Sequence, residues 1–314
     1  MTCPPVPYDP ELTPGLAAFL ALVEKIPLRA DTILANRAHF ATIIPPLDEQ
    51  IRGRQVSVFD HTVNAQVDLT IVGPHELRPN APALYHIHGG GMILGTRFFG
   101  LDRLIDDVLR FAAVGVSVEY RLAPENPAPA AVEDCYAGLR WLAANAGELG
   151  VDASRIVVGG FSAGGGLAAG TSLLARDRGG PPIAGQMLMC PMLDDRNDTV
   201  SARQYDGIGA WDRNNNETAW TAVLGGADQA SPYAAPARMP DLSGLPPAYV
   251  DVGAAETFRD EAVEYARRIW AAGGQAELHV WAGGYHGFTG FSPNAAVSRA
   301  AEATRLTWLR RILR

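Results

Sequence analysis

An α/β domain built on a mostly parallel sheet is what this sequence predicts, and three observations predict it. From about residue 83 onward, strand-like runs alternate with helix-like ones. Two half-buried strand patterns precede that alternation as an antiparallel start, a combination that marks an α/β domain. Within 155–170, a β-branched run, a glycine-framed serine and a small-residue helical segment follow one another.

The N-terminal ten residues are proline-rich and predict a loose stretch. Residues 14–43 place Leu16, Phe19, Leu20, Val23, Ile33, Leu34, Phe40 and Ile44 at helical spacing. Pro27 divides the segment into two helices, and Pro45-Pro46 ends it. A helical pair ahead of the first strand predicts a cap segment over 1–50, separate from a main body at 51–314. Residues 55–59 and 66–71 alternate as half-buried antiparallel strands do. Further strands are expected at 83–87, 114–119, 156–158, 187–189, 248–252 and 276–281, completing an eight-stranded sheet. Helices are expected at 99–112, 130–145, 163–177, 258–272 and 295–313. Residues 194–224 break the rhythm with polar, irregular sequence, helical only from 216, and predict a second cap segment.

Composition narrows the function. The chain has 314 residues, 47% hydrophobic and 19% charged, which suits a globular protein with a substantial core. A net charge of −8 argues against nucleic acid as a partner. No basic run of five occurs, so an anionic-membrane anchor is not expected. Lys25 is the single lysine, a bias read as genomic composition. Cys3, Cys135 and Cys190 are too few and too dispersed for a disulfide framework or a zinc site, and are expected as buried thiols. The N-terminus lacks a basic leader region, and the apolar run 16–23 is too short to span a bilayer. Cytoplasmic is the default expectation.

Gly160-Phe161-Ser162-Ala163-Gly164 fits G-x-S-x-G, in which a sharp strand-to-helix turn exposes a serine at the top of a sheet. A serine hydroxyl needs an adjacent base, itself oriented by a third group, and donors aimed at the developing oxyanion. His286, in a glycine-flanked loop after the last strand, is the candidate base. Of the other histidines, His39 falls in a helical segment, His61 and His75 in early loops, His279 in a strand, and His86 and His88 at the end of the third strand. For the acid, Glu256 is placed just past the strand at 248–252. Asp260, about one helical turn on, is the alternative, and Asp251 lies inside the strand. His88-Gly89-Gly90-Gly91 offers unhindered main-chain N–H groups at the end of a strand, and Ala163 offers another. His88 is expected to organise that loop rather than carry protons.

Four segments in order resemble the hormone-sensitive-lipase family of α/β-hydrolases: His-Gly-Gly-Gly at 88–91, Tyr120-Arg121-Leu122-Ala123-Pro124-Glu125, Gly-Phe-Ser-Ala-Gly-Gly at 160–165, and Tyr285-His286-Gly287-Phe288. The resemblance runs from about residue 82 to 288. It implies the α/β-hydrolase fold, a small helical cap, and a carboxylesterase with Ser162, Glu256 and His286 as triad. The oxyanion donors it implies are the amides of Gly90, Gly91 and Ala163, supported by Gly89. Two positions depart from the family pattern: Phe161 stands where aspartate is common, and Glu256 stands where an Asp-Pro-Leu context is common. Arg121-Leu122-Ala123-Pro124 is expected as a structural turn. The expected partner is a small-molecule ester of short or medium acyl chain, with no cofactor and no metal, and with a homodimer as the open alternative to a monomer. An amidase or deacetylase using the same triad is the nearest rival, and a non-catalytic receptor on this fold a more distant one. Tyr8, Phe19, Phe40, Phe98, Trp211 and Phe288 are candidate pocket walls.

Overall fold

The computed structural model describes residues 3–23 and 26–314, so Lys25 lies outside the described residues. Eight strands form one sheet in the order β1-β2-β4-β3-β5-β6-β7-β8. They are β1 (Val56–Val63), β2 (Val67–Pro74), β3 (Ala81–Ile87), β4 (Val114–Glu119), β5 (Val151–Phe161), β6 (Gly185–Met189), β7 (Ala248–Gly253) and β8 (Ala276–Trp281). β2 runs antiparallel to β1 and β4; β4, β3, β5, β6, β7 and β8 are mutually parallel. The expected antiparallel start and parallel body are both present.

The helices are α1 (Thr13–Val23), α2 (Ile33–Ile43), α3 (Leu47–Ile51), α4 (Leu101–Phe111), α5 (Ala130–Ala144), α6 (Ala163–Asp177), α7 (Val200–Gln204), α8 (Arg213–Leu224), α9 (Arg259–Ala271), α10 (Phe288–Phe291) and α11 (Ala296–Ile312). α5, α6 and α9 cover one face of the sheet, while α4 and α11 cover the other. α4 shows why: Leu101, Leu104, Ile105 and Val108 recur at one-face helical spacing and are buried. Each such side chain contributes about 2 kcal/mol when fully removed from water. Between these two helices, Arg305 of α11 donates to both carboxylate oxygens of Asp107, at 2.7 and 2.9 Å. Removing Arg305 would leave the Asp107 carboxylate buried and unpaired, at a cost of about 3–5 kcal/mol, whereas Arg305 without Asp107 keeps Glu302 as a partner.

Register places the site. Ile87 pairs with Gly160, Phe161 with Met189, and Met189 with Asp251, so the parallel strands end at one level. The loops leaving β3, β5, β6, β7 and β8 therefore converge, as the carboxyl ends of strands in open α/β sheets do.

Several local expectations need correction. The N-terminal stretch is tied down: Asp9 N–H donates to Gly283 O, and the Tyr205 hydroxyl donates to Val6 O. Leu34 points outward at 60% exposure, because α2 packs through its other side. His61 lies within β1, stacked on Trp141, rather than in a loop. Cys135 and Cys190 are buried but Cys3 is only partly so. Residues 194–224 hold two helices, α7 and α8, each started by a side-chain cap. Thr199 Oγ1 accepts from Ala202 N–H, and Asp212 accepts from Asn215 N–H. The short α3 and α10 carry too few residues to show a period. No helix among the described residues is long and apolar enough to cross a membrane.

Candidate active site

Ser162 sits between β5 and α6 with φ 59° and ψ −122°, a backbone conformation that a non-glycine residue adopts only under constraint. The constraint is visible on both sides. Ser162 N–H donates to Met189 O at 2.9 Å, and Ser162 O accepts from Met192 and Gly166 N–H at 3.0 and 3.1 Å. A Cβ at Gly164 would overlap the carbonyl oxygen of Ile87, and one at Gly160 would overlap that of Gly164. Those overlaps are the physical reason for the glycines on either side of the serine.

His286 reaches Ser162 from the loop after β8, with Nε2 3.0 Å from the serine Oγ. On the far side of the ring, Nδ1 lies 3.4 Å from Glu256 Oε2. The two atoms are close but make no hydrogen bond at that geometry, and apo sites commonly tighten on substrate binding. Glu256 is 1% exposed, and neither of its oxygens has a hydrogen-bond donor among the described residues. The rival acids are engaged elsewhere. Asp260 accepts from Ser201 N–H at 2.8 Å and from Arg259 Nε at 2.8 Å. Asp251 accepts from Tyr249 Oη and Trp281 Nε1, each at 3.3 Å, and burial pushes its carboxyl up to about 6. Cys190, beyond β6, places its sulfur within 4.8 Å of a Glu256 oxygen and a His286 nitrogen. Burial raises this thiol well above its ordinary value, so it stands there as a neutral group. Nothing in the sequence pattern marked that neighbour.

The glycine loop after β3 lies beside the serine. Gly90 has φ +114° and Gly91 φ +63°, both in the region that side chains disfavour. The N–H groups of Gly90, Gly91 and Ala163 have no main-chain acceptor outside regular structure among the described residues. His88 is fully buried, stacks on Tyr120 at 4.1 Å, and donates from Nδ1 to Gly89 O at 2.8 Å. Burial lowers its imidazole to about 3, so it is neutral and serves as a brace. Gly89 lies against the Phe161 ring.

The Tyr-Arg-Leu-Ala-Pro-Glu segment acquires a concrete role. Tyr120 Oη donates to His88 O, Ala123 N–H donates to Met92 O, and Arg121 forks onto Asp134. Arg37 of α2 donates to Ile93 O and Ala123 O and pairs with Glu125. These contacts clamp α2 to the glycine loop. Glu125 was visible in the motif; Arg37 carried no signal in sequence.

A cavity of about 640 Å³ opens above Ser162 and His286. Tyr8, Phe19, Phe40 and Trp211 line it, as expected of them. Phe98 does not, and Phe288 is buried with α1 and the loop before α10. Both α1–α2 and residues 207–212 contribute walls, and Trp211 lies against Gly91.

Comparison with known proteins agrees with this architecture. Residues 84–290 match the alpha/beta hydrolase fold family, and the chain belongs to it. It is 35% identical to carboxylesterase NlhH of Mycobacterium tuberculosis over 96% of this chain and 95% of that protein. Esterase LipI of the same species is 40% identical over 71% of this chain and 70% of its own. Among solved structures, a bacterial heroin esterase superposes with a TM-score of 0.89 and 38% identity, covering 98% of each chain. The family resemblance read from four short segments is thereby borne out across nearly the whole chain.

Proposed function

We propose that this protein is a serine carboxylesterase acting on short- to medium-chain acyl esters through a Ser162–His286–Glu256 triad. The observation that carries the reading is the 3.0 Å approach of His286 Nε2 to Ser162 Oγ at the floor of a mainly apolar cavity. Ser162 Oγ attacks the ester carbonyl while His286 Nε2 takes its proton. The new oxyanion is received by the N–H groups of Gly90, Gly91 and Ala163. The imidazolium that forms is stabilised by Glu256, a buried carboxylate that otherwise lacks a partner. Collapse of the tetrahedral intermediate expels the alcohol, protonated by His286. Water, deprotonated by the same imidazole, then hydrolyses the acyl-serine and restores the free hydroxyl. α1–α2 together with residues 194–224 act as the cap that supplies most of the pocket wall. The names of the relatives support ester hydrolysis, and the mainly apolar lining of the cavity supports an apolar ester.

The test is hydrolysis of 4-nitrophenyl butyrate by wild type and Ser162→Ala, with a matched anilide alongside. Loss of about a thousandfold or more in kcat in the variant is expected. Turnover retained by Ser162→Ala would sink the mechanism, and preference for the anilide would move the reading to an amidase.

A further inference from the structure

A second cavity of about 360 Å³ lies behind the first, on the α4–α11 side of the sheet. The two cavities share three wall residues: Phe99, Phe161 and Phe291. Phe161 is the central one. It precedes Ser162 directly, and its ring packs against Gly89 and Gly287, positions with no side chain of their own. It lies 5.2 Å from the His286 ring and meets Phe99 nearly perpendicularly at 6.4 Å. Beyond this partition the space is lined by Leu84, Gly159, Met187 and Met189 and reaches Ile44. Of the four charged residues at its wall, Asp107 and Arg305 pair with each other, Arg103 pairs with Glu302, and Asp102 is exposed. An uncharged aliphatic occupant is therefore favoured over an ionic one, since it demands no polar partner.

We propose that Phe161 sets the acyl-chain limit of this enzyme, and that the cavity behind it is the site for the distal part of a longer acyl chain. This rests on Ser162 being the nucleophile. Ser162 and His286 both line the large cavity and not the second one; the acyl side is assigned because Phe161, which parts the two, is the immediate neighbour of the residue that would carry the acyl group. The alcohol thus leaves through the large cavity, while a chain held behind Phe161 is retained through both half-reactions.

The experiment compares kcat/KM for 4-nitrophenyl decanoate and butyrate, each below its solubility limit. In Phe161→Ala the decanoate-to-butyrate ratio should rise at least about tenfold over wild type, given roughly fourfold for each methylene leaving water. The conservative Phe161→Leu, which guards against misfolding, should raise it about threefold. Adding Ile44→Trp to Phe161→Ala, to fill the far space, should return the ratio to near the wild-type value. An unchanged ratio in both Phe161 variants while butyrate is still hydrolysed overturns the proposal. So does a gain that survives Ile44→Trp, or one that appears with decyl acetate instead of the decanoate. Failure of wild type to hydrolyse either ester would instead count against the proposed function.

Discussion

Ser162 and Glu256 are both buried in the same site, yet they are held by different means. The serine is fixed by main chain alone: hydrogen bonds from and to Met189, Met192 and Gly166, and carbonyls that leave no space for a side chain at Gly160 or Gly164. The glutamate has no donor of its own among the described residues and faces His286 Nδ1 at 3.4 Å. The proposed nucleophile is thus held by backbone groups gathered from the ends of β3, β5 and β6. The proposed acid side joins the loop after β7 to the loop after β8 through side chains only, and it is the looser of the two.

That contrast can be broken most directly at the acid. Glu256→Gln should lower kcat by about a thousandfold, because a neutral amide does not stabilise the imidazolium. Asp260→Asn should change kcat less than about tenfold while loosening α7, whose Ser201 N–H it anchors. The reverse ranking would transfer the acid role to Asp260. On the nucleophile side, Gly164→Ala forces a methyl into the carbonyl oxygens of Ile87 and His88. A loss of about 3 kcal/mol in urea unfolding is expected, since overpacking against backbone has little room to relax. An unaffected Gly164→Ala would mean that the turn is not held by close approach.

In pH dependence the two sides differ in sign. Asp251, beside the acid loop, titrates at about 6 in the fold against about 3.9 unfolded. A raised folded value means stability that is present at low pH and lost as pH rises through 6. Across pH 4 to 7 the loss is on the order of 2 kcal/mol, and Asp251→Asn should remove it. His88, on the nucleophile side, titrates at about 3 against about 6.5 unfolded. Its folded value is lowered, so stability falls as pH drops below 6.5, by up to about 1.4 kcal/mol per unit. His88→Gln should flatten that acid limb, as read from urea midpoints between pH 6.5 and 4.

Much of this was legible in the residues because it depends on neighbours in the chain. The alternation that sets β3 to β8, the glycines around Ser162 and the glycine loop after His88 are all short-range patterns. Legibility failed where period or neighbourhood is absent. α3, α7 and α10 are too short to repeat, and α8 reads as helical only from 216, three residues past its start. The tie of Asp9 to Gly283 joins the two ends of the sequence.

Sequence by itself determined the sheet, the elbow at Ser162 and the family, since steric demands at a turn and burial periodicity are written in adjacent residues. Tertiary structure decided the acid's geometry, the clamp of Arg37 on the glycine loop, and the aromatic partition at Phe161. Each of those depends on where distant loops come to rest, and packing of the finished sheet sets those distances.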